Sequence, residues 1–187
     1  MRFDIMPLNS PHGGHTRIDW YKGGASLTYV GGNNTQTSWR EGEIVVISAS
    51  DGLMLGAAAS SALTVNTGLY GIAAASTEAI LRGARVASGT ATSALMFPMY
   101  PFQPDQEFIT PYMGTTGTLT TPSFKAGCGL YRTSTAVGTG DYGVNGRYSI
   151  DDGGGGIMIT RLLDSRKRDT AITGGTAVYA VFRAIFA

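Results

Sequence analysis

Few residues in this chain could do chemistry, and they are scattered. His12 and His15 flank Gly13-Gly14, with Asp19 downstream, and together would offer two imidazoles and a carboxylate to a metal ion. Metal ligands have to be held rigid by their neighbours, and a glycine-bounded stretch of Pro- and Gly-broken chain does not provide that. No metal site is assigned there. Asp151-Asp152, followed by Gly153 to Gly156, opens like a calcium loop. It lacks both the alternating acidic positions of an EF-hand and the repeated nonapeptide of a β-roll, so it reads as a hairpin connection. A glycosidase needs only two carboxylates, and Glu41, Glu43, Asp105 and Glu107 are the candidates, with Glu41 and Glu43 expected on one strand face. The single cysteine, Cys128, lies between Gly127 and Gly129 with no histidine nearby. It excludes an intrachain disulfide and reads as a small buried apolar residue. No phosphate-cradling Gly-x-x-x-x-Gly-Lys-Ser/Thr, no Gly-x-Gly-x-x-Gly in a strand-turn-helix setting and no Gly-x-Ser-x-Gly elbow occurs. The expectation is a non-enzymatic protein with no catalytic residue, cofactor or metal.

Composition turns attention from chemistry to surfaces. Charged residues make up only 14% of the chain, whereas an average soluble protein has roughly 25%. Glycine, at 27 residues, is about twice its usual share. A turn-rich chain with little charge either presents much of its surface to other proteins or is simply a Gly- and Thr-rich β protein. Fourteen basic side chains against 13 acidic ones leave a formal charge of +1, which supports neither a nucleic-acid nor an anionic-membrane partner. The one basic cluster, Arg161 to Arg168, is interrupted by Asp164 and bounded by Asp169, and reads as a solvated loop. With no apolar h-region after Met1 and no long apolar run, the chain is expected to be neither signal-exported nor membrane-spanning.

The elements centre on Trp39 to Tyr70. Ile44-Val45-Val46-Ile47 is a β-branched run between Glu41-Gly42 and Asp51-Gly52, which predicts a buried strand, a tight turn and a return through Leu53-Met54-Leu55. Residues 1–22 mix apolar side chains with Pro7, Pro11, Gly13 and Gly14 and show no sustained period. They predict an extended arm, with Gly23-Gly24 as a hinge into a domain of residues 23–187. Further strands are expected over 25–30, 65–74, 91–100, 107–110, 118–120, 129–132, 147–150, 157–163 and 176–186, and the prolines around Phe97-Pro98-Met99-Tyr100-Pro101 predict an edge or an exit from the sheet. The final strand is apolar on both faces, so it should be central or pair with another subunit. One helix of two or three turns is predicted from Ser76 as N-cap, with Glu78 in the first turn and Gly83 as the stop. Many short strands between turn residues favour a mainly β single domain, a meander or barrel, over an α/β arrangement.

The succession of Trp39-x-x-Gly42-x-x-Val45-Val46, Asp51-Gly52-Leu53, Gly71-Ile72-Ala73-Ala74, Phe97-Pro98-Met99, Tyr148-Ser149-Ile150-Asp151 and Ile159-Thr160-Arg161-Leu162-Leu163-Asp164 resembles head decoration, or cement, proteins of tailed bacteriophages. The resemblance spans about residues 39–187 and rests on the order of strand and turn signals. It implies a small β-barrel or β-tulip-like domain, assembled as a homodimer or homotrimer on the outer capsid surface. It also implies that this virion protein, made in the bacterial cytoplasm, grips the major capsid protein and stabilises the expanded head. On that reading the arm, with Phe3, Ile5, Met6, Leu8, Ile18 and Trp20, contacts the capsid. Phe97, Met99, Tyr100 and Phe102, with Tyr179, Phe182 and Phe186, serve self-association, since aromatics bury large area at small rotamer cost. The alternatives are a phage tail or adaptor protein, whose β-rich composition would look the same, and a glycan-binding or glycan-cleaving domain using the carboxylates above.

Overall fold

The computed structural model describes residues 5–8, 17–24, 26–28, 38–57, 69–89, 94–103, 106–111, 129–132, 148–151, 156–170 and 179–185. Within them the protein is mainly β. The strands are β1 (Met6–Pro7), β2 (Asp19–Lys22), β3 (Ile44–Ile47), β4 (Met54–Gly56), β5 (Tyr70–Ala73), β6 (Met96–Pro101), β7 (Glu107–Pro111), β8 (Gly129–Arg132), β9 (Tyr148–Asp151), β10 (Ile157–Leu163) and β11 (Tyr179–Ala184). The helix α1 covers Thr77–Gly83. One sheet has the order β1-β7-β11-β10, a second β2-β6-β5-β3-β4, and β8 pairs with β9. Every pairing between these strands is antiparallel.

The four- and five-stranded sheets pack face to face. Ile44 and Ile72 from the five-stranded sheet share one cluster with Phe108, Ile157, Ile159, Phe182 and Ala184 from the four-stranded sheet. Phe108 stacks on Phe182 at 5.8 Å and meets Phe102 edge-on at 5.0 Å. The other face of the five-stranded sheet carries a second cluster, in which Val45, Ile47, Met54, Ala73, Phe97 and Met99 are covered by Trp39, Leu27 and Leu81 of α1. β11 is central in its sheet, as its two apolar faces predict: Ala180, Phe182 and Ala184 enter the core between the sheets, and Val181 and Tyr179 line the opposite side with Ile109, Leu163 and Leu8.

Local chemistry sets the element ends. Ser76 caps α1 by accepting from the Ala79 amide at 3.1 Å, and Glu78 pairs with Arg82 one turn on. At the tip between β3 and β4, Gly52 takes φ +70°, the left-handed region that favours glycine, while the Leu53 amide donates to the Asp51 carboxylate.

Four expectations need correction. Residues 26–28 are not a strand; Leu27 is buried as a plug on the second cluster. The prolines do not expel β6 to an edge, for it lies between β2 and β5. Pro98 is tolerated because its carbonyl accepts from Ala74, just past the end of β5, so the missing N–H falls where the ladder stops. Gly23-Gly24 is a close crossing instead of a hinge. The Gly24 amide donates to the Met54 carbonyl, Gly23 forms a single parallel bridge with Met54, and a Cβ on Gly23 would lie 2.7 Å from Leu27 Cδ1. That bridge draws the edge strands β2 and β4 together at one end, but neither sheet closes into a barrel. Finally, the described part of residues 1–22 is built into the domain. Ile5 lies in the core between the sheets, β1 pairs with β7, and β2 pairs with β6.

Two glycines in contrasting surroundings test this packing. A Cβ on Gly71 would sit 2.5 Å from the Tyr100 carbonyl oxygen and 2.6 Å from Met99 Cγ, whereas Gly83 has nothing within 4 Å. Gly71→Ala should cost about 1–3 kcal/mol in urea denaturation, the usual penalty of overpacking. Gly83→Ala should be neutral or stabilise by up to ~1 kcal/mol through helix propensity. Equal responses from the two variants would contradict the packing around β5.

Candidate interaction surface

The carboxylates expected to pair do not. Glu41 is exposed in the turn before β3 and Glu43 is buried one residue before the strand begins. Gly42, at φ +83°, rotates the chain between them, so they do not share a strand face. Glu43 instead holds the turn together: its Oε2 accepts from the Arg40 amide, and its own amide donates to the Arg40 carbonyl. In the same turn the Gly42 carbonyl accepts from Ile5 and the Gly42 amide donates to Ala73, so one tight turn ties the N-terminal segment to β5. Glu107 is half-covered and reaches Arg161 at 3.3 Å. Asp105, His12, His15 and Cys128 lie outside the described residues, and among the described residues no cluster of His, Cys, Asp and Glu fits a metal ion.

The basic segment is a tightly tied loop. Asp164 Oδ1 accepts from the amides of Arg166 and Arg168, and Oδ2 from Arg168 Nε at 2.9 Å. Lys167 takes a left-handed φ of 60° to close the turn. The loop then folds back on β10, with Thr170 N–H donating to the Leu162 carbonyl and Leu163 bridging Asp169.

Apolar exposure is confined to fewer places. Among the described residues the large hydrophobic side chains left open are Met6, Ile18, Trp20 and Met96, and Trp20 is the most open at 56%. The register explains why three of them meet. β2 pairs with β6 so that Trp20 faces Pro98 and Lys22 faces Met96. Side chains alternate along a strand, so Ile18, Trp20, Lys22 and Met96 share one face. It is also the face from which Tyr100, further along β6, packs into the core between the sheets. The apolar face of the five-stranded sheet therefore runs out past the cover of the four-stranded sheet at β2. The opposite face of β2 is tied down: Asp19 accepts from Arg17 at 2.6 Å and from the Tyr21 hydroxyl at 3.4 Å. Burial, then the Asp19 charge, raises the Tyr21 hydroxyl above its ordinary value.

The expected contact residues divide accordingly. Of the arm set, Met6, Ile18 and Trp20 are open, Leu8 is half-buried against Ile109, Leu163 and Val181, and Ile5 is interior. Of the self-association set, Phe97, Met99, Phe102 and Phe182 are corrected to core residues, at no more than 2% exposed. Their area is already spent within the protomer. Tyr100 and Tyr179 are half-buried; Phe3 and Phe186 lie outside the described residues. Met96 was missed, because only its position opposite Lys22 brings it to Trp20. Comparison with protein-family models, with curated proteins and with solved structures finds no match. No helix among the described residues is long and apolar enough to cross a membrane.

The Asp164 loop makes a pH prediction. Backbone donation from Arg168, with lesser help from its guanidinium and the Arg166 amide, holds the Asp164 carboxyl below its ordinary 3.8. A depressed value means the stabilisation is complete above 3.8 and is lost as pH falls through the lower folded value. Amide shifts of Arg166 and Arg168, followed by NMR, should titrate below 3.8 and stay flat from neutrality down to the ordinary carboxylate range. A midpoint at or above 3.8 would show that those bonds do not hold in solution.

Proposed function

We propose that this chain is a structural virion protein that binds the outer surface of a tailed-phage capsid and cements major capsid protein subunits in the expanded head. The observation that carries this reading is the exposed apolar set at the two N-terminal edge strands, Met6 on β1, Trp20 on β2 and Ile18 just before it, with Met96 beside them. An open tryptophan on a sheet edge is a binding anchor, since it offers large rigid area beside unpaired backbone groups. The sequence resemblance supplies the partner, and the low charge supports protein over nucleic acid or lipid.

The mechanism is binding without turnover and without a cofactor. Contacts that exist only in the expanded shell stabilise that shell by mass action, as with any ligand selective for one conformation. A dimer or trimer touching several capsid subunits turns modest contacts into tight attachment by avidity. The barrel- or tulip-like form implied by the resemblance belongs to this proposal, and the Gly23–Met54 bridge, which draws β2 toward β4, supports it.

Deleting the arm is an unsuitable test, because it would take Ile5 from the core and an edge strand from each sheet. Point changes on open side chains avoid that. In co-sedimentation with phage heads assembled without the protein, Met6→Asp and Trp20→Glu should each reduce occupancy by roughly tenfold or more, as expected for hot-spot truncations. Each variant should keep the parent's thermal midpoint. Parental occupancy by both folded variants would overturn the assignment of this surface.

A further inference from the structure

We infer that the outer edge of β2 is a self-association site, at which two copies pair their β2 strands antiparallel about Trp20 and join their five-stranded sheets into one. This rests on the proposed function only in treating the surface as a protein-binding one; it assigns β2 to the second copy, so that Trp20→Glu lowers head occupancy through lost avidity, and leaves Met6 on β1 for the capsid.

Backbone direction comes first. Gly23 donates inward to the Leu95 carbonyl on the approach to β6, and Gly24 donates the other way, to Met54. In an antiparallel pair, successive residues point their N–H and C=O groups to alternate sides. Asp19 and Tyr21 are therefore spent on β6, while Ile18, Trp20 and Lys22 present theirs outward. Those outward groups have no strand partner among the described residues.

The other edges of the four- and five-stranded sheets are defended. β1 is 2 residues long. β4 is 3 residues long and is met by Gly23 and Gly24. β10 is long, but its register shifts between Ile159 and Arg161, a bulge that spoils a template, and the Asp164 loop folds back over its C-terminal end. β2 has no bulge and no proline, and it carries the most exposed large apolar side chain among the described residues.

Charge and space then select both the occupant and the register. A two-fold axis normal to a continuous sheet requires like-parity pairing, so the axis passes through one residue of β2. Centred on Asp19, the two carboxylates would face each other, which is repulsive. Centred on Tyr21, Ile18 of one copy would need the position opposite Gly24, already taken by Met54. Centred on Trp20, the two indoles face each other, Ile18 faces the other copy's Lys22, and Asp19 faces the other copy's Tyr21 hydroxyl. The Lys22 ammonium then lies diagonally beside the other indole, where its charge is attracted to the ring. Of the registers centred on Asp19, Trp20 and Tyr21, β2 is thus complementary to itself in one.

Cross-linking combined with sedimentation tests this. The full chain, run by analytical ultracentrifugation over a concentration series, should form dimers, and Trp20→Glu should weaken them by about tenfold or more at an unchanged thermal midpoint. In a Cys128→Ser background, the doubly substituted Ile18→Cys/Lys22→Cys chain should oxidise to a covalent dimer, and neither single substitution should do so efficiently. A monomer at every concentration, a dimer indifferent to Trp20→Glu, or equal cross-linking by a single substitution would each overturn the inference. A monomeric chain whose Trp20→Glu variant loses only head binding would transfer the edge to the capsid. A β2-linked dimer that never attaches to heads would instead defeat the proposed function and leave this inference standing.

Discussion

Trp39 is the point on which the two halves of the fold depend. Its ring meets Phe97 edge-on at 5.3 Å inside the second cluster, and its Nε1 donates to the Ala75 carbonyl. Its backbone holds α1 in place: the Trp39 carbonyl accepts from both the amide and the hydroxyl of Thr77, whose oxygen in turn accepts from the Trp39 amide. These groups are buried, so each would cost about 1–3 kcal/mol if left unsatisfied. The first residue of α1 is thereby fixed to the chain entering β3, and Leu81 is set over the five-stranded sheet. One residue further on, the Arg40–Glu43 turn receives Ile5 and Ala73, so the N-terminal segment is locked at the same corner. With both faces of the five-stranded sheet occupied over β3, β5 and β6, the exposed apolar surface is displaced to the β2 edge.

That displacement links packing to the proposed role. A cement protein must be rigid in itself and adhesive at chosen edges. The core between the sheets uses Phe102, Phe108 and Phe182 for rigidity, and Trp20, Ile18 and Met96 remain for contact. The defended edges are as informative as the open one, because strand edges associate indiscriminately unless shortened, bulged or covered. In the two packed sheets, a selective pattern of defence leaves one strand available for a specific partner.

Much of the secondary structure was legible in the sequence. The β3 run, the Asp51-Gly52 turn, the Ser76-capped helix and the two-faced apolar β11 each carry their own local signal, and each forms where those signals put it. What failed depended on pairing. Nothing local in Phe97, Met99 or Phe182 says whether an aromatic or apolar strand residue meets its own core or another molecule, since both demand the same side chains. The prolines of β6 looked like edge markers because a missing N–H matters only at a position where the ladder continues, and register alone reveals that it stops at Ala74. Gly23-Gly24 read as a hinge for the same reason: tight packing by Phe97, Leu27 and Leu55 and a hinge both call for glycine. The apolar surface at β2 was half visible, since Trp20 was picked out with the arm, but Met96 joins it only through the β2–β6 register.

The proposed role depends most directly on where the chain is found and in what number. Quantitative mass spectrometry of purified particles should find it on heads at on the order of hundreds of copies, in a fixed ratio to the major capsid protein, as symmetric occupancy of a shell requires. A few or some tens of copies, fractionating with tails, would contradict it.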